Sequence, residues 1–155
     1  MTAAEIFNSV TNGGADDFAE IVRILEAAGL PWCLLDSSPH VPEPTYAACI
    51  EVIVAAPAVN YLSALGWLRP GETTAERALL KSKRNKLSVE LVFGPRYQDF
   101  PNRAVPANVL GVPVKVAAIE DLIRSKVWAY NDPERRPAKR FKDAADIANL
   151  VEAFP

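Results

Sequence analysis

The chain has 155 residues, a formal net charge of -2, and a composition that is half hydrophobic and 23% charged. That length fits one domain with a real core, and the near-neutral balance excludes a global basic field for non-specific nucleic-acid binding. Two cysteines, Cys33 and Cys49, form no disulfide framework and match no zinc spacing. The N-terminus lacks the basic and apolar regions of a signal peptide. The longest apolar stretch, near Ile50 to Val59, contains Glu51 and Pro57 and is too short to span a bilayer. The expectation is one domain over 1–155 in a reducing cytoplasm, with no membrane segment and with 1–14 as a flexible lead-in.

Phe18, Ile21, Val22 and Leu25 recur at helical spacing, which predicts a helix over Asp16 to Ala28 stopped by Gly29 and Pro31. Trp32 to Leu35 is a short, wholly apolar strand of the kind covered on both faces. Asp36 to Pro44 is an irregular loop, because Pro39, Pro42 and Pro44 forbid a regular helix through most of it. Ala47 to Ala55 reads as a second strand, with Cys49, Glu51 and Ile53 on one face and Ile50, Val52 and Val54 on the other. Pro57 opens a helix over Ala58 to Leu65, closed by Gly66.

Leu79 to Lys81 is a short strand. Leu87 to Phe93 alternates, with Leu87, Val89, Leu91 and Phe93 on one face and Ser88, Glu90 and Val92 on the other. The basic run between them, residues 81–86, reads as a solvated hairpin turn. Val109 to Val116 holds a Gly-Val-Pro turn and a strand. Ile119 to Tyr130 is a helix on a stripe of Ile119, Leu122, Ile123, Val127 and Tyr130. Arg140 to Phe154 is a last helix built on Phe141, Ala144, Ala145, Ala148 and Val151. The order predicts an α/β (α+β) fold, a small mixed sheet flanked by helices.

Phosphoryl and nucleotidyl transfer needs divalent metal on oxygen ligands, to neutralise charge on the transferring phosphate. Two carboxylates two residues apart on a strand share a face, and a third from a neighbouring strand completes such a site. Here position 51 is Glu and position 90 is Glu, but position 49 is Cys, a soft and poor ligand for Mg²⁺. The same two acids also fit a simpler role as charges beside a sheet edge or a solvated cleft. Cys49 has no suitable partner as a nucleophile, since the single histidine, His40, lies in the loop. Lys126 falls on the apolar stripe of its helix, where it either snorkels out of the stripe or pairs with an acid such as Asp146. Lys142 and Asp146, four apart, suit a helix-surface pair.

In this order of elements the chain resembles the minimal nucleotidyltransferases of the DNA polymerase beta-like superfamily, of the abortive-infection and toxin–antitoxin type. The resemblance runs from about Phe18 to Phe154. It rests on WCLLDSS as first strand and glycine turn, TYAACIEVIVA as the Asp-x-Asp strand and KLSVELVFG as the third acidic strand. VKVAAIEDLIRSKVWAY and RFKDAADIANLVEAF are the two late helices. It implies Glu51 and Glu90 as catalytic and metal-binding carboxylates, Ser37 and Lys126 as nucleotide contacts, Mg²⁺ as cofactor and an NTP as substrate or ligand.

The departures fall where that chemistry would be. Asp36 replaces the turn glycine, placing a side chain and a negative charge where phosphate should approach. Cys49 replaces the first carboxylate, and Glu51 is one methylene longer than Asp, a displacement of roughly 1 Å that can lower a rate ~100-fold. The reading is therefore a nucleotidyltransferase-fold protein with impaired catalysis that binds a nucleotide weakly or binds a protein partner. Two alternatives stay open. One is an active Mg²⁺-dependent enzyme moving NMP to a protein, RNA or small-molecule hydroxyl. The other is an antitoxin-like or homodimerising interaction module. Arg135, Arg136, Lys139 and Arg140 form the densest basic patch, either a solvated loop and helix start or a contact for RNA.

Overall fold

The computed structural model of the chain describes residues 2–11, 13–35 and 49–154. The loop read at Asp36 to Pro44, with Ser37 and His40, and the first residues of the second strand lie outside them. Among the described residues seven strands join one mixed sheet in the order β3-β4-β5-β2-β1-β7-β6. In chain order these are β1 (Trp32–Leu34), β2 (Cys49–Val54), β3 (Leu68–Thr73), β4 (Arg77–Ser82), β5 (Ser88–Val92), β6 (Val105–Val109) and β7 (Val112–Val116). The helices are α1 (Ala3–Thr11), α2 (Gly14–Ala28), α3 (Ala58–Ser63), α4 (Phe100–Arg103), α5 (Ile119–Tyr130) and α6 (Pro137–Ala153). The α/β expectation holds. No described helix is long and apolar enough to cross a membrane.

Strand β1 is buried along its whole length, as its unbroken apolar run requires. It pairs antiparallel with β2 and parallel with β7, while β2 pairs parallel with β5. The period-2 pattern then gives the sheet two different faces. On one face Leu34, Val52, Leu80, Val89, Leu91 and Val116 pack against Phe18, Ile21 and Leu25 of α2 and Leu62 of α3. On the other, Cys33, Ile53 and Val92 meet Tyr97, Phe100, Leu122 and Leu150.

Three elements go beyond the sequence pattern. Helix α1 occupies residues read as a lead-in. Strand β3 carries Pro70 and Gly71, and strand β6 carries Pro106. All three residues interrupt a strand pattern, and they are tolerated because β3 and β6 are the two edge strands. Strands β6 and β7 form a hairpin whose central pair, Leu110 and Gly111, has φ of 52° and 80°. Both central residues at positive φ is the type I′ arrangement that matches strand twist.

The basic turn between β4 and β5 is more than a solvated loop. Arg84 donates to both oxygens of the buried Asp17 and lies 4.1 Å over the Trp67 ring, and Asn85 also donates to Asp17. These contacts tie the turn to the start of α2.

Helix α5 has the bounds its pattern predicts, but both late helices present different faces. Val127 and Tyr130 are exposed, and Asp121, Leu122 and Ser125 are buried. In α6 the expected core stripe turns outward: Phe141, Ala144, Ala145, Ala148 and Val151 are exposed, while Asp143 and Leu150 are buried. The reason is charge. Asp121 receives a two-pronged hydrogen bond from Arg103 at 2.9 and 3.0 Å, and a further contact from Arg124. Asp143 receives two bonds from Arg135, each of 2.9 Å. Paired in this way, a carboxylate can sit inside and set the rotation of its helix.

Candidate functional site

Register brings the two acids together. Strands β2 and β5 run parallel with Glu51 opposite Glu90 and Cys49 opposite Ser88. All four therefore rise from the face that carries Tyr97, Phe100 and Leu122 lower down. That face is apolar at Ile53 and Val92 and polar at Glu51 and Glu90, two residues earlier on the same strands.

A third strand supplies a residue that the sequence does not single out. In the antiparallel pairing of β4 with β5, Leu79 stands opposite Glu90. Arg77 shares the face of Leu79 and lies diagonal to Glu90, within reach of a long side chain. Its Nη1 donates to Glu90 Oε1 at 2.8 Å and lies 3.8 Å from Glu51 Oε2. Its Nη2 donates to the Tyr97 hydroxyl at 3.2 Å. Tyr97 is buried in an aromatic group, with ring centroids 5.3 Å from Phe100 and 5.3 Å from Trp128. Tyr97 forms this floor, Trp128 beside it is half-buried and Tyr130 is exposed.

Glu51 keeps 36% of its side-chain surface open, while protein atoms gather around its carboxylate. Desolvation raises its pKa and the charge of Glu90 adds to this. Arg77, Lys126 and Arg135 pull the other way without restoring the ordinary value. For Arg77, burial opposes the charge, but the hydrogen bond and charge of Glu90, with Tyr97 and Glu51, outweigh it and hold the guanidinium protonated.

The cysteines are not poised for reaction. Burial first, and the charge of Asp121 second, push the Cys33 thiol up to about 12. Cys49 is exposed as a residue, yet crowding of its sulfur raises its pKa. Hydrogen bonding from Ser88 offsets this in part, while the charges of Glu51 and Glu90 add to it. A thiol held protonated is neither a ready nucleophile nor a good metal ligand.

Lys126 approaches from α5 and forms an ion pair with Asp146 of α6 at 3.0 Å; Lys142 reaches the same carboxylate at 3.5 Å. Both pairings expected for Asp146 are therefore present, and Lys126 is near enough to Glu51 to stabilise its charge. The basic patch is partly spoken for. Arg135 is bound to Asp143 and Arg140 donates to the Asp132 carbonyl, while Arg136 and Lys139 are exposed. Asp36 and Ser37, read as the degenerate phosphate turn, lie outside the described residues.

These residues do not fit a divalent ion held in the usual way. Two carboxylates converge, one of them already hydrogen-bonded to Arg77, and the third position is a protonated thiol. Among the described residues no group of three or more His, Cys, Asp or Glu side chains is arranged to hold a metal.

No curated protein matches the chain. Solved structures do. The antibiotic-resistance factor ANT(2'')-Ia superposes with a TM-score of 0.64 at 12% identity, over 91% of this chain and 84% of its own. A nucleotidyltransferase-like antigen from Paracoccidioides brasiliensis gives 0.59 at 14% identity, over 90% and 75%. The lincosamide antibiotic adenylyltransferase LnuA gives 0.57 at 11% identity, over 89% and 96%. At such identities the likeness is one of fold. The family model of the AbiEii toxin nucleotidyl transferases, of type IV toxin–antitoxin systems, matches residues 61–155. The matched stretch includes Arg77, Glu90, Lys126 and the Asp143–Asp146 helix, and begins after the strand of Cys49 and Glu51. With more than half of its length matched by that model, the chain belongs to the AbiEii nucleotidyl transferase family.

Proposed function

We propose that this chain keeps the nucleotidyltransferase cleft as a site for a nucleotide ligand while its capacity for metal-dependent transfer is impaired. One observation carries the reading. Glu51 and Glu90 stand side by side on paired strands, yet Glu90 is hydrogen-bonded to Arg77 and the position that should complete the set is Cys49. Transfer to a hydroxyl requires charge neutralisation at the phosphate, and a cleft one carboxylate short is poorly equipped to collect the ions that supply it. What this chain's own residues contribute is positioning: Arg77 bonds Glu90 and lies beside Glu51, Lys126 and Arg135 add positive charge near Glu51, and Tyr97 holds Arg77 from below. Mg²⁺ remains the ion that family membership suggests.

Adenine nucleotides are the first to test, since two structural neighbours are described by adenylyl chemistry. Isothermal titration with Mg-ATP, Mg-GTP and Mg-CTP should give weak binding that depends little on metal. Sub-micromolar, strictly metal-dependent binding would sink the reading.

A second reading is an active enzyme, favoured by the convergence of the two remaining acids. Labelled NTP incubated with the protein and a cell lysate should then mark an acceptor, and Glu51→Gln should abolish the label. Equal labelling by mutant and wild type removes this alternative. A protein partner or homodimer, as in the toxin–antitoxin setting, is tested by light scattering on the full chain. An RNA contact would have to rely on Arg136 and Lys139, because Arg135 and Arg140 are already engaged within the fold.

A further inference from the structure

We infer that Arg77 is the resident cation of this cleft, its guanidinium standing where a divalent ion would bridge Glu51 and Glu90, so that metal enters only when Arg77 is gone. The inference rests on the reading of the cleft given above and adds a cause for its disagreement with a metal site.

The first argument is geometric. A single nitrogen of Arg77 addresses both acids, at 2.8 Å to Glu90 and 3.8 Å to Glu51. One positive centre between two carboxylates on neighbouring strands is the arrangement that a bridging metal ion makes. The second is that Arg77 is held in place. Its other terminal nitrogen is fixed by the Tyr97 hydroxyl, and its guanidinium lies 5.9 Å from the centroid of that ring. Tyr97 is itself immobilised among Phe100 and Trp128. An incoming ion would have to break the bond to Glu90 and leave a half-buried guanidinium without its acid.

The third argument is that the other nearby cations have acids of their own. Lys126 is paired with Asp146, and Arg135 with Asp143. Of these three, Arg77 is the one within ion-pair distance of Glu51 and Glu90, while Lys126 and Arg135 act on Glu51 only from further away. Removing it takes away the direct ion pair of two adjacent carboxylates and leaves only the more distant charges of Lys126 and Arg135, which favours a hard divalent cation between them.

The test uses Mn²⁺ as the probe, on the full chain, read by the loss of free-ion EPR signal. Wild type should bind weakly. Arg77→Met, which keeps the stem and removes the charge, should bind at least about tenfold more tightly. Adding Glu51→Gln to Arg77→Met should return affinity to the wild-type level, which locates the ion at the carboxylate pair. Circular dichroism reports whether the variants fold. If Arg77→Met does not, Arg77→Gln, which can still bond Tyr97, carries the same expectation. Wild type that already binds Mn²⁺ as tightly as the variant overturns the proposal, as does a folded variant with no gain.

Nucleotide labelling in parallel separates this proposal from the reading beneath it. Gain of Mn²⁺ without label supports both. Gain of Mn²⁺ together with label supports the resident cation and replaces an impaired cleft with a blocked one. Label by wild type without any gain of Mn²⁺ in the variant overturns both.

Discussion

At the scale of single residues, Glu51 sets a pH dependence. Its raised pKa means that the folded chain holds that proton more tightly than the unfolded chain does. The stability this proton confers is full below the ordinary value of 4.5, is lost as pH rises through the higher folded value, and stays lost above it. Glu51→Gln removes the ionisation. The variant should melt above wild type at about pH 7 and level with it at about pH 3, and a higher wild-type melting point at neutral pH would contradict the burial of this carboxylate. The thiols should differ as well. Under native conditions a maleimide should label Cys49 slowly and Cys33 not at all, because Cys33 is buried and its pKa lies at about 12. Glu51 and Glu90 are legible as a pair because strand parity alone places each on a definite face. Arg77 is not. A strand read from Leu79 to Lys81 stops short of it, and only the pairing of Leu79 with Glu90 shows that a residue two places earlier reaches the acid.

At the scale of elements, the two late helices are joined by ion pairs as much as by apolar packing. Arg135→Ala would strand Asp143, which is 1% exposed, and breaking a buried pair of this kind costs about 3–5 kcal/mol. Urea unfolding should show a loss near the lower end, since Arg135 itself is only half-buried. A loss under about 0.5 kcal/mol would mean that the pair contributes no more than a surface contact. The β6–β7 turn carries a second prediction. Gly111 sits at φ 80°, where a side chain is strained whatever the space around it. Gly111→Ala should destabilise by about 1 kcal/mol or more in the same assay. Periodicity locates α5 to the residue yet misjudges the outward face of α6, because it counts every apolar residue as a core candidate. It has no means of knowing that Asp143 finds Arg135 and turns inward. Edge strands β3 and β6 escape for the opposite reason: proline and glycine mask them, and only their place at the sheet margin makes those residues acceptable.

At the scale of the whole molecule, one sheet separates two cores of different character. The face toward α2 and α3 is apolar along its length, and its residues are strongly patterned in the sequence. The face toward α5 and α6 is shared between packing and the cleft, with Tyr97 at the boundary. That boundary gives the protein an optical consequence. Trp128 meets the Tyr97 ring edge-on at 5.3 Å and carries Arg96 over its own ring at 4.6 Å, so its indole lies one side chain away from the cation of the cleft. The other two tryptophans sit elsewhere, Trp32 in β1 and Trp67 beneath Arg84. With Trp32 and Trp67 replaced by phenylalanine, the emission of Trp128 should shift when Arg77 is changed to methionine, and an unchanged spectrum would show that the aromatic floor does not sense the cleft. Read this way, the indole is a built-in fluorescent gauge of what occupies the space between two glutamates, and it needs no added dye.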